Sequence, residues 1–305
     1  MSSELDRVRR VGRAVRLLGF RALSSTFREN TRQVSKLIRA AASPARSVPS
    51  DVPLTVVLLS YRRGRNLPLQ LHLCLQTPGV ERVIVSHNDP SRAPPPIPVD
   101  PRVRLIVQPR DAGPIERYRV LREERGPWFL ALDDDLFLSP PQMQALARAL
   151  AAEPSVPHGI HGQLFVSGSF RDNVTRDDGE VDLLNRVYAF SRAHLQRYFD
   201  LLRELGVERE DELRRIDDDI VLAFAGKGRP RIHDLGPIVD CPSERRPGAL
   251  WRRRDALQRR TRLTEALLAL APRASDGQAA RGRALERGPR ALWLAPARHW
   301  FRGPA

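Results

Sequence analysis

The stretch WFLALDDDLFL, Trp128 to Leu138, joins five apolar residues to three consecutive carboxylates. The apolar run Trp128 to Leu132 is short and follows the breaker Gly126-Pro127, which is the pattern of a buried strand. Strand side chains alternate in direction, so Asp133 and Asp135 are expected to point one way and Asp134 the other if extension continues that far. Carboxylates this close repel one another unless a cation sits among them. A hard divalent ion, Mn²⁺ or Mg²⁺, answers that repulsion, because it prefers oxygen and commonly takes one or two carboxylates together with substrate phosphates. The competing explanation is a charged strand end that caps the next helix, with Ser139 as the cap and Pro140 at the first helical position. That accounts for the helix and leaves the three acids without a role.

Upstream, Leu54 to Ser60 (LTVVLLS) is a β-branched run of the kind covered on both faces of a sheet. A helix over Leu67 to Gln76 and a strand over Arg82 to Ser86 follow, then a short strand over Arg102 to Val107. Strand, helix and strand at this spacing predict a parallel sheet with right-handed crossovers, in which ligands bind beyond the carboxyl ends of the strands. Tyr61 to Arg63, Asn88 and Asp133 to Asp135 would then meet at one crevice. Glu116 to Glu124 reads as a helix carrying Arg117, Arg119 and Arg122, a set that suits either phosphate or a solvated face.

Downstream, Pro140 to Ala152 is expected to be helical, Gly159 to Gly168 a strand or hairpin, Leu183 to Phe190 a strand, and Arg192 to Leu205 a helix ended by Gly206. A second acidic triplet, Asp217-Asp218-Asp219, precedes the apolar run Ile220 to Phe224. One carboxylate at a helix start is explained by the helix dipole. Three in succession exceed what a cap needs.

With 305 residues and 41% hydrophobic content, the chain suits one large α/β domain with appendages. Its formal charge of +15 implies affinity for anions without choosing among nucleotides, acidic glycans, lipid head groups and nucleic acid. Two cysteines, Cys74 and Cys241, and no C-x-x-C fit a reducing compartment. Leu5 to Phe27 alternates apolar and arginine residues at helical spacing, which suits either peripheral attachment to an anionic membrane or packing on the domain or a partner. Its apolar runs fall short of the ~20 residues a membrane span needs, and no signal-peptide core is visible. The expected organisation is a basic helical segment (1–41), a linker (42–53), a catalytic domain (54–268) and a weakly ordered basic tail (269–305).

Three other classes fit less well. A sugar nucleotidyltransferase needs a glycine-rich loop after the first strand, where this chain offers only Gly64. A phosphatase with an aspartate nucleophile carries its acids after the first strand, not after about three. A nucleic-acid binder would explain the charge but not two acidic clusters, which repel phosphate when metal-free. No specific nucleic acid is therefore expected as a partner.

Five blocks then resemble, in order, those of exostosin-type glycosyltransferase domains: LLSYRR ending at Arg63, VIVSHND with Asn88, LALDDDLFLS, DDIVLAF at Asp218 to Phe224, and LWRRRDALQRR at Leu250 to Arg260. The resemblance implies a GT-A-like α/β fold, a Rossmann-type mixed sheet flanked by helices, preceded here by the basic N-terminal helix. It implies a retaining transfer of a sugar, N-acetylhexosamine in that family, from a UDP-sugar donor to a glycan or lipid-linked acceptor, with Mn²⁺ or Mg²⁺. Carried over by residue, Asp133 to Asp135 would hold the metal against the diphosphate, with Asp135 and Asp133 as its ligands and Asp134 as a cofactor-binding residue beside them. Arg63 and Asn88 would contact the uridine, Arg119 would face the donor, Asp219 and Asp218 would sit where sugar meets acceptor, and Arg259 would help bind the diphosphate.

Two departures bear on the donor sugar: Gly113-Pro114 where the family has an asparagine, and Ala223 where it has another. The family's membrane anchor is not matched, so a bacterial-style cytoplasmic enzyme, peripheral at the inner membrane face, is expected. Where animal members carry cysteines suited to a disulfide, this chain has Asp217 and Arg262. Either an ion pair replaces the covalent tie, or the two are unrelated surface charges.

Overall fold

The computed structural model describes residues 52–271 apart from 62–63, 95–96, 171–176, 237 and 241–254. The basic segment 1–41, most of the linker, Arg63, Cys241 and the tail from 272 onward lie outside the described residues. Strand β1 (Leu54–Ser60) leads through a short 3₁₀ turn into helix α1 (Leu67–Leu75), and β2 (Val80–His87) and β3 (Val103–Val107) follow. Helix α2 (Glu116–Arg119) precedes β4 (Trp128–Asp133), β5 (Leu136–Phe137) and α3 (Pro140–Ala152). Six short strands come next, β6 (His158–Gly159), β7 (Gly162–Gln163), β8 (Phe165–Val166), β9 (Ser169–Phe170), β10 (Gly179–Glu180) and β11 (Leu183–Leu184). The chain continues through β12 (Val187–Ser191), α4 (Arg192–Glu204), α5 (Glu210–Leu213), α6 (Asp218–Ala223), β13 (Arg231–Ile232), β14 (Val239–Asp240) and α7 (Ala256–Leu270).

The main sheet has the order β10-β13-β6-β12-β4-β1-β2-β3. As expected, β1 runs parallel to β2 and β4, and β2 parallel to β3. Beyond β4 the sheet is mixed, as expected of a Rossmann-type mixed sheet: β12 lies antiparallel to both β4 and β6, and helices cover both faces. The apolar run Leu183 to Phe190 is correspondingly two strands. It breaks at Arg186, which adopts a left-handed φ of 66°, outside the β region.

Alternation along the central strands divides the core in two. Val57, Ile84, Phe129, Ala131, Tyr188 and Phe190 face one layer, packed with residues of α4, α6 and α7. Val56, Leu58, Val83, Val85, Leu130 and Leu132 face the other, with α1 and α3. Helix α3 begins as its sequence requires, with Pro140 in the first turn and Gln142 Oε1 accepting from the Ser139 backbone N–H at 2.9 Å. The expected helix over Glu116 to Glu124 is helical only to Arg119. From there the backbone tightens into i→i+3 bonds, Leu121 N to Tyr118 O and Arg122 N to Arg119 O, so that the chain turns into β4.

The departure at Gly113 has a steric basis. Its φ is +77°, and a Cβ there would lie 2.3 Å from the backbone oxygen of Arg214. Asn88 fixes the same loop, donating from Nδ2 to Gly113 O at 2.9 Å. Gly113→Ala should therefore destabilise the fold by roughly 1–3 kcal/mol through strain and overpacking. Urea unfolding measures this, and an unchanged midpoint would show that the loop and the α5–α6 connection move apart freely.

Candidate active site

Strand parity aims the first acid. Phe129, Ala131 and Asp133 share a face, so the strand that buries two apolar side chains under α4 and α6 delivers a carboxylate to the same layer at its carboxyl end, beside Leu59 of β1. Asp134 turns to the opposite side, where Oδ2 accepts from Tyr61 N at 3.1 Å, and its carbonyl accepts from Asn66 Nδ2 at 2.7 Å. Asp135 follows in the turn between β4 and β5. Its Oδ1 accepts from Arg186 Nη2 at 3.0 Å and Nε at 3.3 Å, while its carbonyl accepts from Nη2 at 3.1 Å.

The second acidic triplet stands at the start of α6 and is buried. Arg117, only 7% exposed, joins the two clusters: Nη1 donates to Asp133 Oδ1 at 2.8 Å, and Nε lies 3.1 Å from Asp218 Oδ2. Its guanidinium also lies 5.1 Å from the centre of the Tyr188 ring, a cation–π distance. On the far side, α7 supplies two more cations. Arg259 Nε donates to Asp217 Oδ2 at 2.8 Å, and Arg260 reaches Asp219 Oδ2 through Nη2 at 2.7 Å and Asp217 Oδ1 through Nη1 at 3.4 Å. Two acidic clusters 84 positions apart in the sequence are thus joined through Arg117, while Arg259 and Arg260 pair with the other two acids of the second.

Burial sets the charge states. It raises the carboxyl of Asp218 to about 7, with Asp219, Asp133 and Asp217 adding repulsion that Arg117 only partly offsets. Asp133 shifts the same way, first through burial, against Arg117 and with Asp135. Burial opposes the charge on Arg117, yet Asp218 and Asp133 hold it cationic, well above its ordinary range. A buried arginine serving two carboxylates stays charged while one of its acids takes up a proton near neutrality.

The structure brings together Asp133, Asp135, Asp218 and Asp219, and sets Asp134 beside them on the α1 side. Asn88 lines the same end of the sheet, with its carboxamide spent on the 112–113 backbone. Arg119 turns away and pairs with Glu210 at 2.7 Å, so the arginine at the acids is Arg117, two residues earlier in the same basic run. Arg259 is committed to Asp217, and its neighbour Arg260 is the one that meets Asp219. Of the two alternatives for Asp217 and Arg262, the ion pair does not form: Asp217 pairs with Arg259 and Arg260 instead. Residues 256, 259, 263 and 267 form the buried face of α7, which leaves Arg262 on the outer, exposed face. Sequence reasoning also passed over Arg186 and Arg260. A lone arginine between two short apolar runs carried a signal for the first, and the second directly follows the residue chosen.

The acids supply only oxygen donors, which is the chemistry of Mg²⁺ or Mn²⁺. Among the described residues no three Asp, Glu, His or Cys side chains converge as a protein-only cage. A hard ion held by one or two carboxylates and a diphosphate needs none, and the mutual repulsion of Asp133 and Asp135 gives it a place. The donor set therefore fits such an ion.

No protein-family model matches the chain, and no curated protein matches it. Among solved structures it is similar to GalNAc-T7 crystallised with UDP, GalNAc and Mn²⁺, at 10% identity and TM-score 0.45 over 70% of this chain and 48% of that one. The chain thus spans about half of that protein's length. It is also similar to the mannosyltransferase PcManGT from Pyrobaculum calidifontis in complex with GDP-Man and Mn²⁺ (16%, TM-score 0.43, 95% and 94% covered), and to residues 1–349 of S. aureus TarS with UDP-GlcNAc (14%, TM-score 0.45, 72% and 67% covered).

Removing the shared cation should be costly. Arg117→Ala leaves the buried Asp218 and the partly exposed Asp133 without their shared cation and is expected to lower stability by about 3 kcal/mol, whereas Arg119→Ala, at a partly exposed pair, should cost no more than about 1 kcal/mol. Denaturant unfolding of both variants tests the contrast, and equal losses would refute it.

A pH dependence follows from Asp218. Its folded value of about 7 lies above the ordinary 3.8, so ionisation opposes folding: this contribution is full below about 3.8 and lost as pH rises through about 7. In chelator, the thermal midpoint should fall between pH 5 and pH 8, and Asp218→Asn should reduce that fall. A variant with the wild-type slope would show that Asp218 does not titrate in this window.

Proposed function

We propose that the protein is a metal-dependent glycosyltransferase of GT-A-like fold that moves a sugar from a UDP-sugar to a hydroxyl of a glycan or lipid-linked acceptor. The observation that carries this reading is the meeting of two separate acidic clusters, cross-linked by Arg117, beyond the carboxyl ends of parallel strands. A strand-end acid pair suits a metal–diphosphate. A second pair on α6, a side chain's length away across Arg117, suits the reacting carbon and the acceptor hydroxyl. A phosphatase or a nucleotide-binding module has use for the first pair only.

In this reading Asp135 and Asp133 would hold the ion, Mn²⁺ or Mg²⁺, and Asp134 fixes the turn by holding the Tyr61 backbone. A divalent cation bound there would stabilise the negative charge that develops on departing UDP. Arg63, with Asn88 and the loop that Asn88 anchors, would contact the uridine, as the exostosin-type blocks imply, while Arg117 takes the inward role first assigned to Arg119. Asp219, oriented by Arg260, faces the acceptor, and Asp218 adjusts the charge beneath the transferred sugar. Arg259 supports this wall through Asp217. N-acetylhexosamine as the sugar and retention of configuration complete the proposal, on the strength of the exostosin-type blocks. Among the described residues no helix is long and apolar enough to cross a membrane. The setting we propose is cytoplasmic, with residues 5–27 in peripheral contact with an anionic membrane.

The test is a panel of UDP-sugars with Mn²⁺, with released UDP and glycosylated products followed by mass spectrometry. Asp135→Asn is expected to weaken Mn²⁺-dependent UDP binding at least tenfold by calorimetry and to abolish transfer, with its thermal midpoint close to wild type. Undiminished binding in the variant would refute the metal assignment, and a panel without turnover would refute the donor class.

A further inference from the structure

Arg186 occupies the carboxylate that the proposed metal would need. It is one of two non-glycine residues with positive φ among those described, at 66° between β11 and β12. Side chains of L-residues are disfavoured there, so surrounding bonds must impose the conformation. They do: Arg186 O accepts from Asp133 N at 2.9 Å, and Arg186 N donates to Tyr188 Oη at 3.0 Å. Both ends of this strained residue are therefore tied to the acidic turn or to the tyrosine beneath Arg117. The consequence is that the guanidinium lies across Asp135, with two contacts to Oδ1 and one to the backbone carbonyl.

The two arginines at the strand-end acids differ in kind. Arg117 is 7% exposed and is held from two sides by Asp133 and Asp218. Arg186 is 24% exposed and stands at the solvent side of Asp135. Asp135 itself is buried, so the pair is exchangeable only from the arginine's side, where the guanidinium has solvent and room to turn. A guanidinium is also a planar donor suited to phosphate oxygens in bidentate fashion, so it has a second partner whenever a diphosphate is present.

We propose that Arg186 is a placeholder cation: it covers Asp135 against metal alone, and turns to the diphosphate when metal and nucleotide arrive together. This inference rests on the glycosyltransferase reading and refines it, making metal affinity conditional on the nucleotide. Bare metal must displace a positive charge and leave it beside another. A metal–diphosphate complex brings the negative charge that receives it. The two ligands are thereby coupled, each raising the affinity for the other.

The experiment compares wild type with Arg186→Gly and Arg186→Gln by calorimetric titration of Mn²⁺ alone, of UDP alone, and of UDP at saturating Mn²⁺. Glycine suits a φ of 66°, so Arg186→Gly removes the guanidinium while relieving the backbone, which offsets part of the cost of leaving Asp135 without its arginine, and a cooperative thermal transition confirms that each variant is folded. Mn²⁺ alone should bind both variants about tenfold more tightly than wild type, and UDP at saturating Mn²⁺ about tenfold more weakly. Mn²⁺ affinity that is unchanged or reduced in the folded variants overturns the placeholder role. Asp135→Asn separates the two ideas. If it too leaves Mn²⁺-dependent UDP binding intact, the metal reading itself fails. If it abolishes that binding while Arg186→Gly leaves Mn²⁺ affinity unchanged, the metal reading stands and the placeholder alone is rejected.

Discussion

The guanidinium of Arg117 is the contact on which the site depends. It is buried, it touches a carboxylate from β4 and another from α6, and it rests over the ring of Tyr188 on β12. A charge so placed has lost most of its hydration, and only the pair of acids makes its position tolerable. The same geometry constrains the acids. Asp133 and Asp218 share one counter-charge, so neither can move without exposing the other to an unbalanced interior. Three elements far apart in sequence are locked in register by electrostatics at a point where the apolar core has ended.

That arrangement explains why the buried layer under β4 is asymmetric. On the α1 and α3 side the strand faces are aliphatic to the end of Leu132. On the α4 and α6 side the same strand runs from Phe129 and Ala131 into Asp133, and the aromatic stack of Tyr118 and Tyr198, with ring centres 4.3 Å apart, lies in that layer beneath the acids. Core and site are consecutive positions of one face, so packing errors a few ångströms below translate into displacement of the carboxylates above. This is the physical sense in which rigid strands make better supports for reactive groups than loops do.

Much of this was legible in the sequence because strand parity is a strong local rule. The run Trp128 to Leu132, the opposed direction of Asp134, the capped helix from Pro140 and the helix ending at Gly206 all follow from patterns within a few residues. The pairing of charges did not. Arg117 and Arg119 stand in one short basic run, and only the early end of α2 at Arg119 and the position of Glu210 decide which one turns inward. The choice between Arg259, Arg260 and Arg262 depends likewise on the phase of α7 against α6, which no spacing within the segment reveals. Arg186 was hidden because a left-handed residue inside an apolar run looks like uninterrupted strand until its tertiary bonds are known.

The contacts from α7 also have a temporal meaning. Asp217 and Asp219 leave the ribosome 42 and 41 residues before the arginines that neutralise them, Arg259 and Arg260. Until that helix emerges, the growing chain carries a carboxylate cluster with two of its three arginine partners unsynthesised. The wall around α6 therefore lacks these two partners until α7, the last helix among the described residues, has been made, after every strand of the main sheet.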